Sequence, residues 1–339
     1  MIEGHGDDLY KYKDIEANFS SNVYNFVNHD ALYHHISDNL WRVRSYPEPE
    51  PYSLEEKIAA INNISCKNVC VTNGATEAIY LIAFAFRESS SFIVSPTFRE
   101  YEDACRLHSH KVTNIFSLKD IPNEPSLIWL CNPNNPTGTV TEAEYLKAVI
   151  KSHPKHIFVI DQSYEMFASR PTLQVSEMVK EDNIIILHSM TKCFAVPGIR
   201  LGYVTACNNI IEKIRSRRMP WSVNALAIEA GMFLLDNIEH YRPDVDSLIK
   251  ERIRVENELR STGCIEFSPS DTHYMLVRLT RGTSSALKEY LAVKHHVLIR
   301  NANNFAGLDD HYFRIAIQSP EENNKLIKGI KEWTLMQQQ

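Results

Sequence analysis

Residues 183–200 read NIIILHSMTKCFAVPGIR, and the fold class follows from how this stretch is built. Ile184 to His188 is a short run, apolar through Leu187, with none of the alternation of a half-exposed strand, so it reads as a strand covered on both faces. A turn, Ser189-Met190-Thr191-Lys192, follows it, and Pro197-Gly198-Ile199-Arg200 comes soon after. The same rhythm of short Val/Ile/Leu-rich run, loop and longer helical pattern starts at Asn68. It predicts further strands at Asn68–Thr72, Ser91–Ser95, Lys111–Phe116, Leu127–Cys131, His156–Ile160 and Leu201–Ala206, and helices at Ser53–Asn62, Thr76–Phe86 and Glu142–Lys151. That alternation is α/β. Ser53 with Glu56, and Thr141 with Glu144, have the spacing of capping boxes. Past Trp221 the pattern changes to long amphipathic helices at Ala225–Leu235 and Val245–Arg260, then strands at Tyr274–Leu279, Val297–Arg300 and Phe313–Ile317, a smaller α+β unit. No repeat or long Gly/Ser/Pro linker separates the two parts, so a second domain must pack tightly on the first.

Bulk properties exclude several function classes. The 339 residues carry a formal charge of −6 with the signs mixed, against the basic face that a phosphate backbone requires. Arg215, Arg217 and Arg218 are the local exception: a solvated helix face in one reading, a contact for an anionic substrate in the other. No apolar run approaches the ~20 residues that cross a bilayer. Met1 to Tyr12 is polar and acidic, without a secretory pattern, so the mature chain is expected to start at Met1. Seven cysteines, an odd count with no C-x-x-C pair, point to a cytoplasmic protein. His34 with His35 and His295 with His296 would point apart on a helix or strand, and no metal is expected.

The polar residues at the strand ends carry the chemistry. A lysine at the end of a buried strand, as Lys192 is, can lose its charge by desolvation and become a nucleophile toward aldehydes. Asp161 ends another such strand, where a carboxylate can hold a pyridinium nitrogen protonated; its plainer reading is a helix cap. Tyr164 lies three residues later and can offer a hydroxyl. Asn132-Pro133-Asn134-Asn135-Pro136-Thr137-Gly138 is a turn-rich loop, on its own only punctuation. Asn73-Gly74-Ala75-Thr76-Glu77 joins strand to helix, where free N–H groups can receive a phosphate; its glycine spacing is neither a P-loop nor a dinucleotide fingerprint.

In this order and spacing, over almost the whole chain, these segments resemble the fold-type I, pyridoxal-5′-phosphate (PLP)-dependent class I/II aminotransferase family. The resemblance implies a large, mainly parallel PLP-binding domain over residues 46–225 and a smaller α+β domain from 1–45 and 226–339. It implies Lys192 as the Schiff-base lysine, Asp161 as the pyridinium partner, and Asn135 and Tyr164 as donors to the ring hydroxyl. It implies Ala75, Thr76, Ser189 and Arg200 as the phosphate cup, with Gly74 and Thr191 also at the cofactor, and Phe98 as the aromatic that stacks on the ring. Tyr46, in Tyr46-Pro47-Glu48-Pro49, matches a tyrosine that reaches the cofactor of a neighbouring subunit, which implies a homodimer with shared sites. Arg314 matches the arginine that grips the substrate carboxylate, a task suited to a planar guanidinium.

Within the family the nearest groups are histidinol-phosphate aminotransferases and the threonine-phosphate decarboxylases of cobalamin biosynthesis. The segments 219–226 and 298–309 are similar to the decarboxylases, as are His5-Gly6 and Phe19-Ser20-Ser21-Asn22. There His5 and Asn22 would help receive the substrate, and Arg300 would meet its phosphate or carboxylate. The chain departs from that group at Asp7, where a second glycine is usual, and at Tyr24, where asparagine is common. The reaction expected is decarboxylation of L-threonine O-3-phosphate, with transamination as the alternative. Which Cα bond stands perpendicular to the cofactor ring decides between them, and Lys192 serves as proton carrier in either. A catalytically silent PLP-binding regulatory protein is the reading from another class, and Lys192, Asp161, Arg200 and Arg314 together weigh against it.

Overall fold

The computed structural model describes residues 8–337. Its largest sheet has seven strands, in spatial order Val69–Thr72, Gly202–Ala206, Ile184–Ser189, Ile157–Asp161, Leu127–Cys131, Ser90–Val94 and Lys111–Ile115. Gly202–Ala206 runs antiparallel to both its neighbours and the remaining pairs are parallel. The central strands are buried along their length, as their unbroken apolar runs require when helices cover both faces. The register sets Cys131 beside Asp161 and Asp161 beside Leu187. The first two of these strands therefore end level, the third runs on two residues to Ser189, and the segments after all three leave from one edge of the sheet.

A four-stranded antiparallel sheet of Arg300–Asn301, Tyr312–Ala316, Tyr274–Leu279 and Ile265–Phe267 forms the second unit. Ala17–Asn18 pairs in parallel with Val297–Leu298. The single strand expected at Val297–Arg300 is thus two pieces, because Leu298 pairs with the N-terminal segment while Arg300 turns to pair with Arg314. Apolar contacts of the large sheet continue past Ala225: Leu32, Leu54, Val69, Ala227 and Tyr241 share one cluster. A separate cluster from Phe19 and Val255 to Trp333 fills the smaller unit.

Neither capping box forms. The helix Tyr52–Ile61 starts after Pro51, so Ser53 lies inside the first turn, and its N–H and hydroxyl donate to Glu48 at 3.0 and 3.2 Å. Glu142 precedes the helix Ala143–Ser152, and the Thr141 N–H donates instead to the Asn132 side chain at 2.7 Å. Side-chain caps are supplied by Asn224, Asp244, Thr283 and Ser319 at the starts of four later helices.

Arg215 and Arg218 are neither a solvated face nor a substrate contact. Val69–Thr72 is the outer strand of the large sheet, and an open strand edge invites pairing with another chain. The Val71 N–H donates to Glu55 at 3.0 Å, while Arg215 and Arg218 each donate at 2.7 Å to the carbonyls of Val69 and Val71. Both guanidiniums also pair with the Glu55 carboxylate, and the Arg218 and Glu55 side chains are 3 % and 2 % exposed. Side chains thus complete the edge that a further strand would otherwise take. Arg217, on the exposed side, lies over Phe84. Arg218→Met should lower the free energy of urea unfolding by about 3 kcal/mol, because it leaves a buried carboxylate half-compensated. Arg217→Met should change it by less than about 0.5 kcal/mol.

Candidate active site

A cleft of about 270 Å³ opens where these strand ends face the smaller sheet, the place where open α/β sheets receive ligands. Of the residues singled out from the sequence, Ala75, Thr76, Phe98, Asn135, Asp161, Tyr164, Ser189, Thr191, Lys192, Arg200, Arg300 and Arg314 all line it. Asn22 is buried next to Tyr164 rather than on the cleft wall. Tyr46 is 85 % exposed and packs on Trp221 at 5.4 Å, outside this chain's own cleft. His5 lies outside the described residues.

One end of the cleft is built to receive an anion. The twelve-residue helix Gly74–Ala85 points its N-terminus there, with unsatisfied N–H groups. Arg200 lies against that helix start: a Cβ on Gly74, whose φ is +82°, would come within 2.6 Å of the Arg200 Nη2. Gly202 is the second tight point. A Cβ there would sit 2.6 Å from the Ala75 nitrogen, so the antiparallel strand can approach the helix start only through glycine. Nothing in the sequence singled out Gly202 for this role.

In the middle, Lys192 projects from the short helix Met190–Cys193 and donates to the Ser21 carbonyl at 2.9 Å. At the far end Asp161 accepts from the Ser163 N–H at 2.9 Å and from the Tyr101 hydroxyl at 2.6 Å. Tyr164 packs edge-on against Tyr274 at 5.0 Å, and burial pushes its phenol above the ordinary value, which keeps it a hydrogen-bond donor. Tyr101 and Cys131 also line the cleft and went unnoticed in the sequence. For Tyr101 a signal existed, since it falls one helical turn after Phe98.

The wall contributed by the smaller sheet is cationic. Arg300 and Arg314 are directly opposed partners on adjacent strands, and both are buried. Arg314 donates to the Asn135 side-chain oxygen and to the Ser20 carbonyl, while Arg300 donates to Asn304 at 2.8 Å. Burial, followed by the charge of Arg314, pulls the Arg300 guanidinium down to about 10. Two like charges opposed in a buried site repel; Asp8 offsets part of this at Arg300, and a ligand bringing negative charge would relieve it further.

This donor set suits PLP. An anion cradle at the start of a helix, an amine in the middle, a carboxylate at the far end and an aromatic wall match a molecule carrying a phosphate, an aldehyde and a basic ring nitrogen. The fit is chemical as well as steric, because Asp161 is 5 % exposed and a buried carboxylate calls for a cationic partner.

Residues 15–330 match the family model described as aminotransferase class I and II. Over 312 residues, 87 % of the chain and 85 % of the relative, the sequence is 30 % identical to threonine-phosphate decarboxylase of Salmonella typhimurium. It is also 30 % identical, over 312 residues covering 87 % and 86 %, to histidinol-phosphate aminotransferase of Thermoanaerobacter pseudethanolicus. The crystal structure of L-threonine-O-3-phosphate decarboxylase from Porphyromonas gingivalis is similar with a TM-score of 0.90 and 34 % identity, over 94 % of this chain and 99 % of that one.

Burial, with the nearby charge of Arg314 as the next cause, holds the His273 imidazole down at about 3. An unfolded histidine takes up a proton near pH 6.5, so below that pH only the unfolded state is protonated here. The stability attached to the neutral ring is complete above pH 6.5 and is lost as the pH falls toward 3. Between pH 7 and pH 5 the loss is roughly 2 kcal/mol. Urea unfolding of His273→Gln should therefore show a pH 7 to pH 5 drop in stability smaller than that of the parent by about this amount; equal drops would refute it.

Proposed function

This chain belongs to the class I and II aminotransferase family of PLP-dependent enzymes, and from that premise we propose that it decarboxylates L-threonine O-3-phosphate to aminopropanol phosphate, with Lys192 at the reacting centre. The observation that carries this reading is the buried opposition of Arg300 and Arg314. Such a pair is suited to a ligand bearing more than one negative charge, as a phosphorylated amino acid does. The likeness to decarboxylases of that substrate supports the choice.

Bound PLP supplies an electron sink for the pair left on Cα when a bond to it breaks. In this reading Ala75, Thr76, Ser189, Thr191 and Arg200, with Gly74 giving Arg200 room, hold the cofactor phosphate. Asp161 faces the ring nitrogen, Asn135 and Tyr164 donate to the ring hydroxyl, and Phe98 covers a ring face. Lys192, in the middle of the cleft, would hold the cofactor through its aldehyde and would carry the proton for Cα. A carboxylate clamped by a guanidinium is a poor leaving group, because its charge must be pulled out of an ion pair as the bond breaks. Decarboxylation is therefore favoured when Arg300 and Arg314 both serve the phosphate, and transamination when Arg314 is drawn to the carboxylate.

A second copy of the chain is part of the proposal. Leu40, Trp41, Val43, Tyr46, Met219 and Trp221 are all exposed, more large apolar surface than a monomer usually leaves in one stretch, and Tyr46 would reach the partner's cofactor phosphate from it.

The deciding experiment is product analysis of the PLP-loaded protein. Given L-threonine O-3-phosphate alone, it should release CO₂ and aminopropanol phosphate, and Lys192→Ala should abolish turnover. Glutamate formed from L-histidinol phosphate and 2-oxoglutarate, with no CO₂ from the first mixture, would instead make it an aminotransferase. Sedimentation at micromolar concentration should show a dimer, and a monomer would overturn the shared site.

A further inference from the structure

We propose that Tyr101 is a positioning residue for Asp161, holding the carboxylate correctly turned for the cofactor's ring nitrogen. The inference rests on the reading of Asp161 given above and adds a residue to which that reading assigns no role.

The side chain of Asp161 is buried, and among the described residues none of the ion pairs includes it. What holds it is a pair of neutral donors, one per oxygen: the Ser163 N–H on Oδ1 at 2.9 Å and the Tyr101 hydroxyl on Oδ2 at 2.6 Å. Each oxygen keeps lone-pair capacity toward the cleft, which both Asp161 and Tyr101 line. A neutral donor orients a carboxylate without cancelling its charge, so the charge stays available for a cationic ring nitrogen; an arginine in that place would have consumed it.

The phenol stays protonated and so can donate to the carboxylate. Burial first, and then the charge of Asp161, pushes its ionisation well above the ordinary value. Its other polar neighbour, the Cys131 thiol, is likewise pushed up by burial and remains neutral, with its sulfur 3.1 Å from the Pro133 carbonyl. The ring cannot swing aside. It stacks on Trp129 at 5.5 Å, Trp129 in turn donates to Ser91 at 3.2 Å, and Phe98 meets the ring edge-on at 5.8 Å. An aromatic that merely filled the core would need an acceptor for its hydroxyl, and any backbone carbonyl would serve. Tyr101 instead takes the one buried carboxylate on the cleft floor.

The test measures cofactor affinity of the apoprotein, by quenching of tryptophan fluorescence and by the absorption band of bound PLP, in Tyr101→Phe, Asp161→Ala and the double variant. Phenylalanine keeps the ring and its stacking and removes one oxygen, and far-UV circular dichroism checks that each apoprotein is folded. Tyr101→Phe should raise the apparent Kd for PLP about 10-fold, the effect of a lost hydrogen bond to a charged group. Asp161→Ala should raise it further, and adding Tyr101→Phe to Asp161→Ala should change it less than about twofold, since the effect passes through the carboxylate. If Asp161→Ala weakens binding while Tyr101→Phe does not, or if Tyr101→Phe costs as much in both backgrounds, the positioning role is wrong and the reading of Asp161 stands. If Asp161→Ala binds PLP as tightly and with the same spectrum as the parent, the reading of Asp161 is wrong as well.

Discussion

The parallel register of three central strands is the constraint on which the cleft depends. Pairing Cys131 with Asp161 and Asp161 with Leu187 keeps the three strand ends within two residues of one another, so the segments carrying Asn135, Tyr164 and Lys192 leave from one edge. A slip of one residue would turn Asp161 to the opposite face of the sheet and bring a hydrophobic side chain to the cleft floor. Such a slip is opposed by the whole apolar content of the strands, whose side chains are buried on both faces. The placement of the polar groups is thus secured by hydrophobic burial that has no part in the chemistry.

Charges in the cleft are arranged as separated opposites. The carboxylate of Asp161 lies on the floor with two neutral donors, and the cations Arg300 and Arg314 lie in the facing wall, hydrogen-bonded to amide and carbonyl oxygens. Pairing these groups with one another would make the empty protein more stable and the cleft useless. Keeping them apart costs stability that a ligand with complementary ends returns on binding. At the outer edge of the same sheet the opposite choice is made. There Glu50 and Glu55 pair with Arg215 and Arg218, and the four side chains balance in charge as they close off the strand edge.

Much of this was legible in the sequence, and what was not has a common cause. The strands announced themselves because a strand buried on both faces must be apolar throughout, and Leu127–Cys131 and Tyr274–Leu279 form with the ends expected. Lys192 and Asp161 stood out as charged residues closing apolar runs. The capping boxes failed because their serine and threonine met longer-range partners, Glu48 and Asn132, that spacing along the chain does not reveal. The Arg215 to Arg218 cluster was misread for the same reason: its partners lie about 150 residues earlier, at Glu55 and the outer strand. Tyr101 looked like any core aromatic, because its significance depends on which atom receives its hydroxyl hydrogen.

The loop Asn132 to Gly138 shows how far a punctuation reading can fall short. Its glycine has φ +77°, and a Cβ there would lie 2.1 Å from the Ser270 hydroxyl and 2.7 Å from the Tyr274 carbonyl, so the loop is pressed against the start of a strand in the smaller sheet. Asp271 donates its N–H to the Gly138 carbonyl and accepts from the Val140 N–H, both at 2.9 Å, and the Tyr274 hydroxyl reaches the Asn134 carbonyl at 3.1 Å. Asn135, within the same loop, accepts from Arg314. One segment therefore leaves the strand that ends at Cys131, grips the smaller sheet and touches the arginine wall. The separation between Asp161 and Arg314, which determines the length of molecule that can span the cleft, is fixed by this joint. The joint combines one backbone hydrogen bond and a glycine contact with side-chain hydrogen bonds of Asp271, Tyr274 and Arg314, so several independent contacts hold that spacing.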